Sequence, residues 1–264
     1  MSIEYIHAFN EICEYIASRK KIKIDNDIIE TAMNLGGYSR DVQSKRYCVY
    51  LCSCFTRISE SINHTIVNRF LLLSSENEML IRNEISYQFR FFFKEFDENF
   101  IRKNFFKIVE NYLNENENMC VFLTFESVLI NFSKFADLNF LTNLNKILSS
   151  IFLSSIPDYY ELQVKIIFCI LEFRKEASGN KEFVNFVKTF LKEIFLKKSG
   201  KTIISKDFIT KFESIAEFLE NQDEVALLQE VYNYIINYPY EGESLNHKNV
   251  KQILYENIIN VNEN

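Results

Sequence analysis

Apolar residues recur at helical spacing along nearly the whole chain. Ile3, Ile6, Phe9, Ile12 and Ile16 open it, and Phe105, Ile108, Val109, Tyr112 and Leu113 repeat the pattern later. Residues three and four apart share one face of a helix, so each run predicts an amphipathic helix. Short polar breaks separate the runs, among them Lys20 to Asp25, Leu35 to Arg40, Ser59 to His64, Ser74 to Glu78, Asn114 to Asn118, Ala136 to Asn139, Ser154 to Tyr159 and Lys197 to Lys206. Cutting at such breaks gives about a dozen helices of ordinary length. Asp41, Asp137 and Asp158 stand where N-caps are needed. No stretch alternates apolar and polar residues between turn signals, so no sheet is expected.

Composition supports the same class. Five Gly and two Pro in 264 residues are too few for the phosphate loops and tight strand-to-helix turns of α/β enzymes. With 47% hydrophobic residues the chain has ample material for a core. A single domain over residues 1–264 is expected, with a softer boundary at 197–206. The formal charge of −6 opposes a general nucleic-acid binder, which needs an excess of Lys and Arg on some surface. The start, Met1-Ser2-Ile3-Glu4-Tyr5, has no basic segment leading into an apolar one. No run reaches the roughly 18 uncharged apolar residues that a membrane helix needs. These features predict a soluble, unexported protein of the cytoplasm or nucleus, without membrane association. Its six cysteines are expected to be reduced core thiols.

A theme repeats inside the chain. A polar turn leads into a long apolar helix at four places: Ser39-Arg40-Asp41 into Lys45-Arg46-Tyr47-Cys48-Val49, Glu76-Asn77-Glu78 into Ile81-Arg82-Asn83-Glu84-Ile85, Asn116-Glu117-Asn118 into Val121-Phe122-Leu123, and Pro157-Asp158-Tyr159 into Val164-Lys165-Ile166-Ile167. Intervals near 35 to 47 residues are those of stacked helix pairs. One hairpin has two apolar faces and covers only one by itself, so the next hairpin must cover the other. Arg46, Arg82 and Lys165 are accordingly read as structural, reaching the acidic groups or helix C-terminus of the preceding turn.

The segment Phe70-Leu71-Leu72-Leu73-Ser74-Ser75-Glu76-Asn77-Glu78-Met79-Leu80-Ile81-Arg82 resembles the HEAT repeat, whose second helix begins with an acidic turn and a Val-Arg or Val-Lys pair. The resemblance covers residues 36 to 175 and is nearest to scaffold or regulatory subunits of type 2A and type 4 protein phosphatases. Phe122 replaces the basic residue in the third unit, and the proline common in the first helix of such repeats is missing. The resemblance implies an all-α fold, an α-solenoid of stacked antiparallel helix hairpins. It implies protein partners, a phosphatase catalytic subunit among them, held on the turns within hairpins. Tyr38, Arg40, Glu76, Asn77, Glu115, Tyr159 and Tyr160 are the partner-binding residues expected there.

Chemistry-bearing motifs are scarce. Cys48, Cys52 and Cys54 are dense, but His64 is the only nearby histidine and no paired CxxC exists, so no metal is expected. His7, His64 and His247 stand apart from any catalytic motif, and no nucleotide signature is present, so no catalytic residues and no cofactor are expected. The aromatic run Phe89, Phe91, Phe92, Phe93, Phe96, Phe100, Phe105 and Phe106 exceeds one amphipathic stripe. It reads as an inter-repeat core or as an apolar groove for a partner. Basic clusters at Arg19, Lys20, Lys21 and Lys23 and at Lys197, Lys198, Lys201 and Lys206 read as solvated turns. In the alternative function, an RNA- or ribosome-associated protein, they would contact phosphates. The expected function is a non-catalytic scaffold or regulatory protein.

Overall fold

The computed structural model describes residues 11–13, 15–153, 160–177 and 180–196. Residues 11–13 and 15–19 belong to a first helix, α1. It is followed by α2 (Asn26–Met33), α3 (Val42–Ile58), α4 (His64–Leu73), α5 (Met79–Phe92), α6 (Glu98–Asn104), α7 (Phe106–Leu113), α8 (Asn118–Ile130), α9 (Phe132–Phe135), α10 (Leu138–Leu153), α11 (Tyr160–Ala177) and α12 (Lys181–Leu196). Two 3₁₀ turns, Asn34–Gly36 and Phe93–Glu95, extend α2 and α5. The protein is all-α. Among the described residues the sole extended pairing is an isolated parallel bridge between Ile22 and Ser59. It ties the segment after α1 to the end of α3, with Ile22 N donating to Ile58 O at 2.8 Å. No helix of the described residues is long and apolar enough to cross a membrane.

The helices start where short polar side chains satisfy their first N–H groups. Asp25, Asp41, Asn63, Asp97 and Glu117 each accept a hydrogen bond from the turn they open. Asp137 Oδ1 accepts from the backbone of both Asn139 and Phe140 at 3.0 Å. Each cap stabilises its helix by about 1 kcal/mol. Asp41 and Asp137 thus cap as the sequence predicts, and Asp158 lies outside the described residues, as does the boundary expected at 197–206.

The chain divides into two compact units, residues 1–140 and 141–264. In the first, α3 packs on α5 and α5 on α8, while α2 packs on α4 and α4 leans on α3. The three long helices begin at residues 42, 79 and 118, intervals of 37 and 39 residues. Beside α5 an aromatic core gathers rings from α4, α5 and the α6–α7 segment. Phe70 of α4 stacks on Phe92 of α5 with ring centroids 4.1 Å apart, and Phe89 stacks on Phe93 at 4.7 Å. Phe105 meets Phe70, Phe89, Phe92 and Phe93 at 5.3 to 6.4 Å.

Phe105 enters that core because the helix is interrupted at it. Its φ of −120° leaves the helical region, and α6 ends where α7 begins. A second interruption, at Asn131 with φ −112°, separates α8 from the single-turn α9. Neither site carries Gly or Pro, so the unbroken apolar pattern concealed both. The Phe-rich segment is core. Phe89, Phe92, Phe93 and Phe105 have no exposed surface and Phe96 has 3%, which overturns the partner-groove alternative for residues 89–106. Phe91, half-buried, is covered by Arg57, whose guanidinium lies 4.8 Å from the ring centroid.

In the second unit, α11 packs on α12. Phe152 meets Phe190 edge-on at 5.2 Å, and Phe173 meets Phe183 edge-on at 5.1 Å. The buried amide of Gln163 donates to the Ile151 carbonyl at 2.9 Å, so this polar side chain is satisfied inside an apolar layer.

Phe105→Ala should destabilise the protein by about 3–5 kcal/mol, since a fully buried ring with five aromatic neighbours leaves a cavity the fold cannot refill. Urea unfolding followed by circular dichroism reads that loss, and a shift within about 1 kcal/mol would refute the hub role. The two adjacent glycines give a sharper contrast. A Cβ on Gly36 would lie 2.9 Å from both Arg69 Cδ and Cys48 Sγ, whereas one on Gly37 would meet nothing closer than 3.3 Å. Gly36→Ala should therefore cost about 1–3 kcal/mol from overpacking. Gly37→Ala, with φ at −63°, should be nearly neutral in the same unfolding measurement.

Candidate functional site

The turns that lead into α3, α5 and α8 follow one another because those three helices lie side by side. Ion pairs fix each turn to the helix before it. Lys45 Nζ of α3 lies 2.6 Å from Glu76 Oε1 in the turn before α5. Arg82 of α5 pairs in the same way with Glu115 in the turn before α8. Deeper along the helices, Arg46 Nη2 lies 3.4 Å from Glu84 Oε2, and Arg90 pairs with Glu126. The basic residue at the head of one long helix thus reaches the following turn. For Arg46 and Arg82 the expected reach to the preceding turn is corrected: both pair with carboxylates further along the chain. Sequence spacing alone cannot distinguish the two neighbours of a repeated unit.

Uncharged groups reinforce the same junctions. Tyr112 donates its hydroxyl to the Ser74 carbonyl at 3.0 Å, and the Arg82 guanidinium lies 5.1 Å from the Tyr112 ring centroid. Burial pushes the Tyr112 phenol up, so it remains a donor at any ordinary pH. Between α5 and α8, Ser127 donates to the Ser86 carbonyl at 3.0 Å, and Thr124 donates to the Ser86 hydroxyl at 3.0 Å. Small side chains let these two helices approach closely.

The sequence-derived partner residues divide accordingly. Tyr38 is 80% exposed, and Arg40 and Asn77 are also exposed. Glu76 and Glu115 sit in the same turns, but their carboxylates are engaged by Lys45 and Arg82. Tyr159 lies outside the described residues and Tyr160 opens α11. Sequence reading missed the exposed apolar positions beside the turns: Leu72, Met79, Leu80 and Met119 are each 38–52% exposed. Their signal was available, since Met79 and Met119 fall in the first turns of α5 and α8, where a buried stripe has not yet begun.

Of the basic cluster, Arg19, Lys20, Lys21 and Lys23 are exposed. Arg19 lies over the Tyr15 ring at 5.2 Å, and Lys21 Nζ is 2.6 Å from Glu95 Oε2. Lys197, Lys198 and Lys201 lie outside the described residues. The cysteine cluster is wholly interior. Cys48 Sγ is 3.7 Å from the Met33 carbonyl and Cys52 Sγ is 3.5 Å from Met33 Sδ. Among the described residues no three or more His, Cys, Asp or Glu side chains gather as a metal site would require. A shallow groove along α2, lined by Asp27, Ile28, Thr31, Ala32 and Leu35, offers a single ionisable group.

The buried and exposed ion pairs should behave differently on truncation. Glu76→Gln leaves the nearly buried Lys45 ammonium without its counter-charge and should cost about 2 kcal/mol. Glu98→Gln removes the exposed pair with Arg102 and should cost less than about 0.5 kcal/mol. Equal losses in urea unfolding would show that the ladder carries no special weight. The chain matches no family model, and no curated protein is similar to it.

Proposed function

We propose that this protein is a non-catalytic scaffold or regulatory protein: a HEAT-like stack of helix hairpins that presents its intra-hairpin turns to protein partners. The observation that carries the reading is the serial packing of α3, α5 and α8 with Lys45–Glu76 and Arg82–Glu115 joining each to the next turn. Such a series leaves the turns near Tyr38, Asn77 and Met119 along one edge. Rigid helices hold them, so little ordering cost falls on binding. An exposed Tyr is a suitable anchor, because its ring buries large area while its hydroxyl keeps a hydrogen bond. The resemblance to phosphatase scaffold subunits makes a type 2A or type 4 phosphatase catalytic subunit the first partner to try.

Affinity purification of the native chain from its source, with identification of the co-purifying proteins, supplies the partner for a quantitative test. Tyr38→Ala combined with Asn77→Ala should weaken that partner's binding at least about tenfold in isothermal titration calorimetry, with the melting temperature unchanged. Raising salt from about 50 to 200 mM should change the affinity only a few-fold. A nucleic-acid partner with six to ten phosphate contacts would instead lose about 10³–10⁵ over that range. Tight binding of a single-stranded RNA oligonucleotide, abolished by Lys20→Ala with Lys23→Ala, would replace the scaffold reading with the RNA-associated one.

A further inference from the structure

An apolar strip runs along the seam of α5 and α8, on the side away from the aromatic core. The inward face of α5 carries Ile81, Ile85, Phe89 and Phe92, whereas Leu80, Asn83 and Tyr87 recur at spacings of three and four on its other side. On α8 the matching stripe is Met119, Leu123, Glu126 and Ile130. Leu80, Met119 and Ile130 are 46%, 43% and 39% exposed, and Tyr87 and Leu123 are half-buried. The two stripes face the same way: Arg90, whose guanidinium lies 4.5 Å from the Tyr87 ring centroid, pairs across the seam with Glu126. Beneath them Ser86 Oγ meets Cys120 Sγ at 3.2 Å and Thr124 Oγ1 at 3.0 Å, so small side chains form the floor.

We propose that this seam is the docking groove for one amphipathic helix of a partner protein, which lies antiparallel to α5 and α8 with the lysine or arginine of its last turn toward Glu78 and Glu117.

The shape is that of a seat for a helix. From Leu80 to Phe91, where the covering Arg57 closes the strip, the seam is about 16 Å long, roughly three helical turns. A helix with apolar residues at every third and fourth position places one stripe along such a seam. Leu80, Tyr87, Leu123 and Ile130 supply the apolar walls, and the flexible thioether side chain of Met119 adapts to whichever residues arrive. The charges within reach are already matched, Glu126 by Arg90 and Glu84 by Arg46. An apolar occupant therefore leaves none of these four without its counter-charge. The groove presupposes the scaffold reading, to which it adds the partner's shape and charge order.

Charge fixes the direction. At the head of the seam stand the N-cap residues Glu78 of α5 and Glu117 of α8. Glu78 is exposed and its side chain makes no capping hydrogen bond. The bases nearest to them, Lys45 and Arg82, are held by Glu76 and Glu115. At the far end the exposed Lys94 follows α5, its Nζ 6.0 Å from the Phe91 ring centroid. The groove is thus acidic at one end and basic at the other. Helices favour acidic residues in the first turn and basic ones in the last, because the backbone dipole is positive at the start and negative at the end. An occupant of that ordinary kind matches both ends of the groove when it runs antiparallel to α5, and neither end when it runs parallel.

Two fluorescently labelled helical peptides of about 18 residues, with identical leucine faces, serve as probes of the full chain. One carries glutamates in its first turn and lysines in its last; the other has the two ends exchanged. Fluorescence anisotropy at about 50 mM salt should give the first peptide at least about fivefold the affinity of the second. Leu80→Ser combined with Met119→Ser should weaken the first peptide at least about tenfold, with the melting temperature unchanged because both side chains are exposed. Ile62→Ser, at a position 46% exposed elsewhere in the unit, should leave its binding unchanged. Glu78→Lys should bring the two peptides within about twofold of each other. Absence of saturable binding of the first peptide up to about 200 µM, equal affinity of the two peptides, or a loss as large with Ile62→Ser as with the double substitution would overturn the proposal. Should the groove fail in this way while Tyr38→Ala with Asn77→Ala still weakens the co-purifying partner, the scaffold reading stands without it.

Discussion

Because α5 carries apolar side chains toward two neighbours, it must be covered twice, by α3 on one side and α8 on the other. Everything else in the first unit follows from this double coverage. Ile81, Ile85, Phe89 and Phe92 are at most 1% exposed, and removing them from water at about 1.5–3 kcal/mol each outweighs any single polar contact nearby. The short helices α4, α6 and α7 then fill the second layer with aromatic rings. Phe105 closes that layer from a break in the helix rather than from a regular position. The backbone leaves helical dihedrals at one residue, φ −120°, and one large ring reaches five others.

Charge has a different role. At 2.6 Å the Lys45–Glu76 attraction is strong, but the two side chains are only 10% and 23% exposed, so much of the gain is cancelled by lost hydration. An apolar pair of the same size would hold the helices about as well. What the ion pairs add is register: each long helix recognises the turn 31 to 33 residues further on, and a slip by one helical turn would bury an unpaired ammonium or guanidinium. Apolar burial decides that the helices stack, and the ladder decides where.

The sequence revealed what depends on periodicity. The long helices, their polar breaks and the caps Asp41 and Asp137 stand where the pattern places them, since capping and amphipathicity are local properties. It concealed what depends on partners. The interruptions at Phe105 and Asn131 are set by the core those residues enter, not by breaker residues. Arg82 reaches forward to Glu115 because α8 lies beyond α5, a fact of stacking order. Cys48, Cys52 and Cys54 looked like one cluster, yet the first two thiols lie against Met33 while the third lies against Arg57. Among the turn residues, exposure at Tyr38, Arg40 and Asn77 was legible from polarity and position, whereas the engagement of Glu76 and Glu115 was not.

The exposure of Tyr38 is imposed rather than loose. Two residues before it, Gly36 is wedged against Arg69, Cys48 and Leu73, a fit that leaves no room for a β-carbon. Arg69 Nη1 donates to the Gly36 carbonyl at 3.2 Å, and Arg40 N donates to the Gly37 carbonyl at 3.0 Å. The backbone on both sides of Tyr38 is therefore held, and Asp41 caps α3 immediately afterwards. An aromatic ring kept in water on a braced turn forgoes the stabilisation that burial would give it, on the order of 1.5–3 kcal/mol. That stabilisation remains available to whatever covers the ring, and because the turn is already ordered, little of it is lost to fixing the chain on contact.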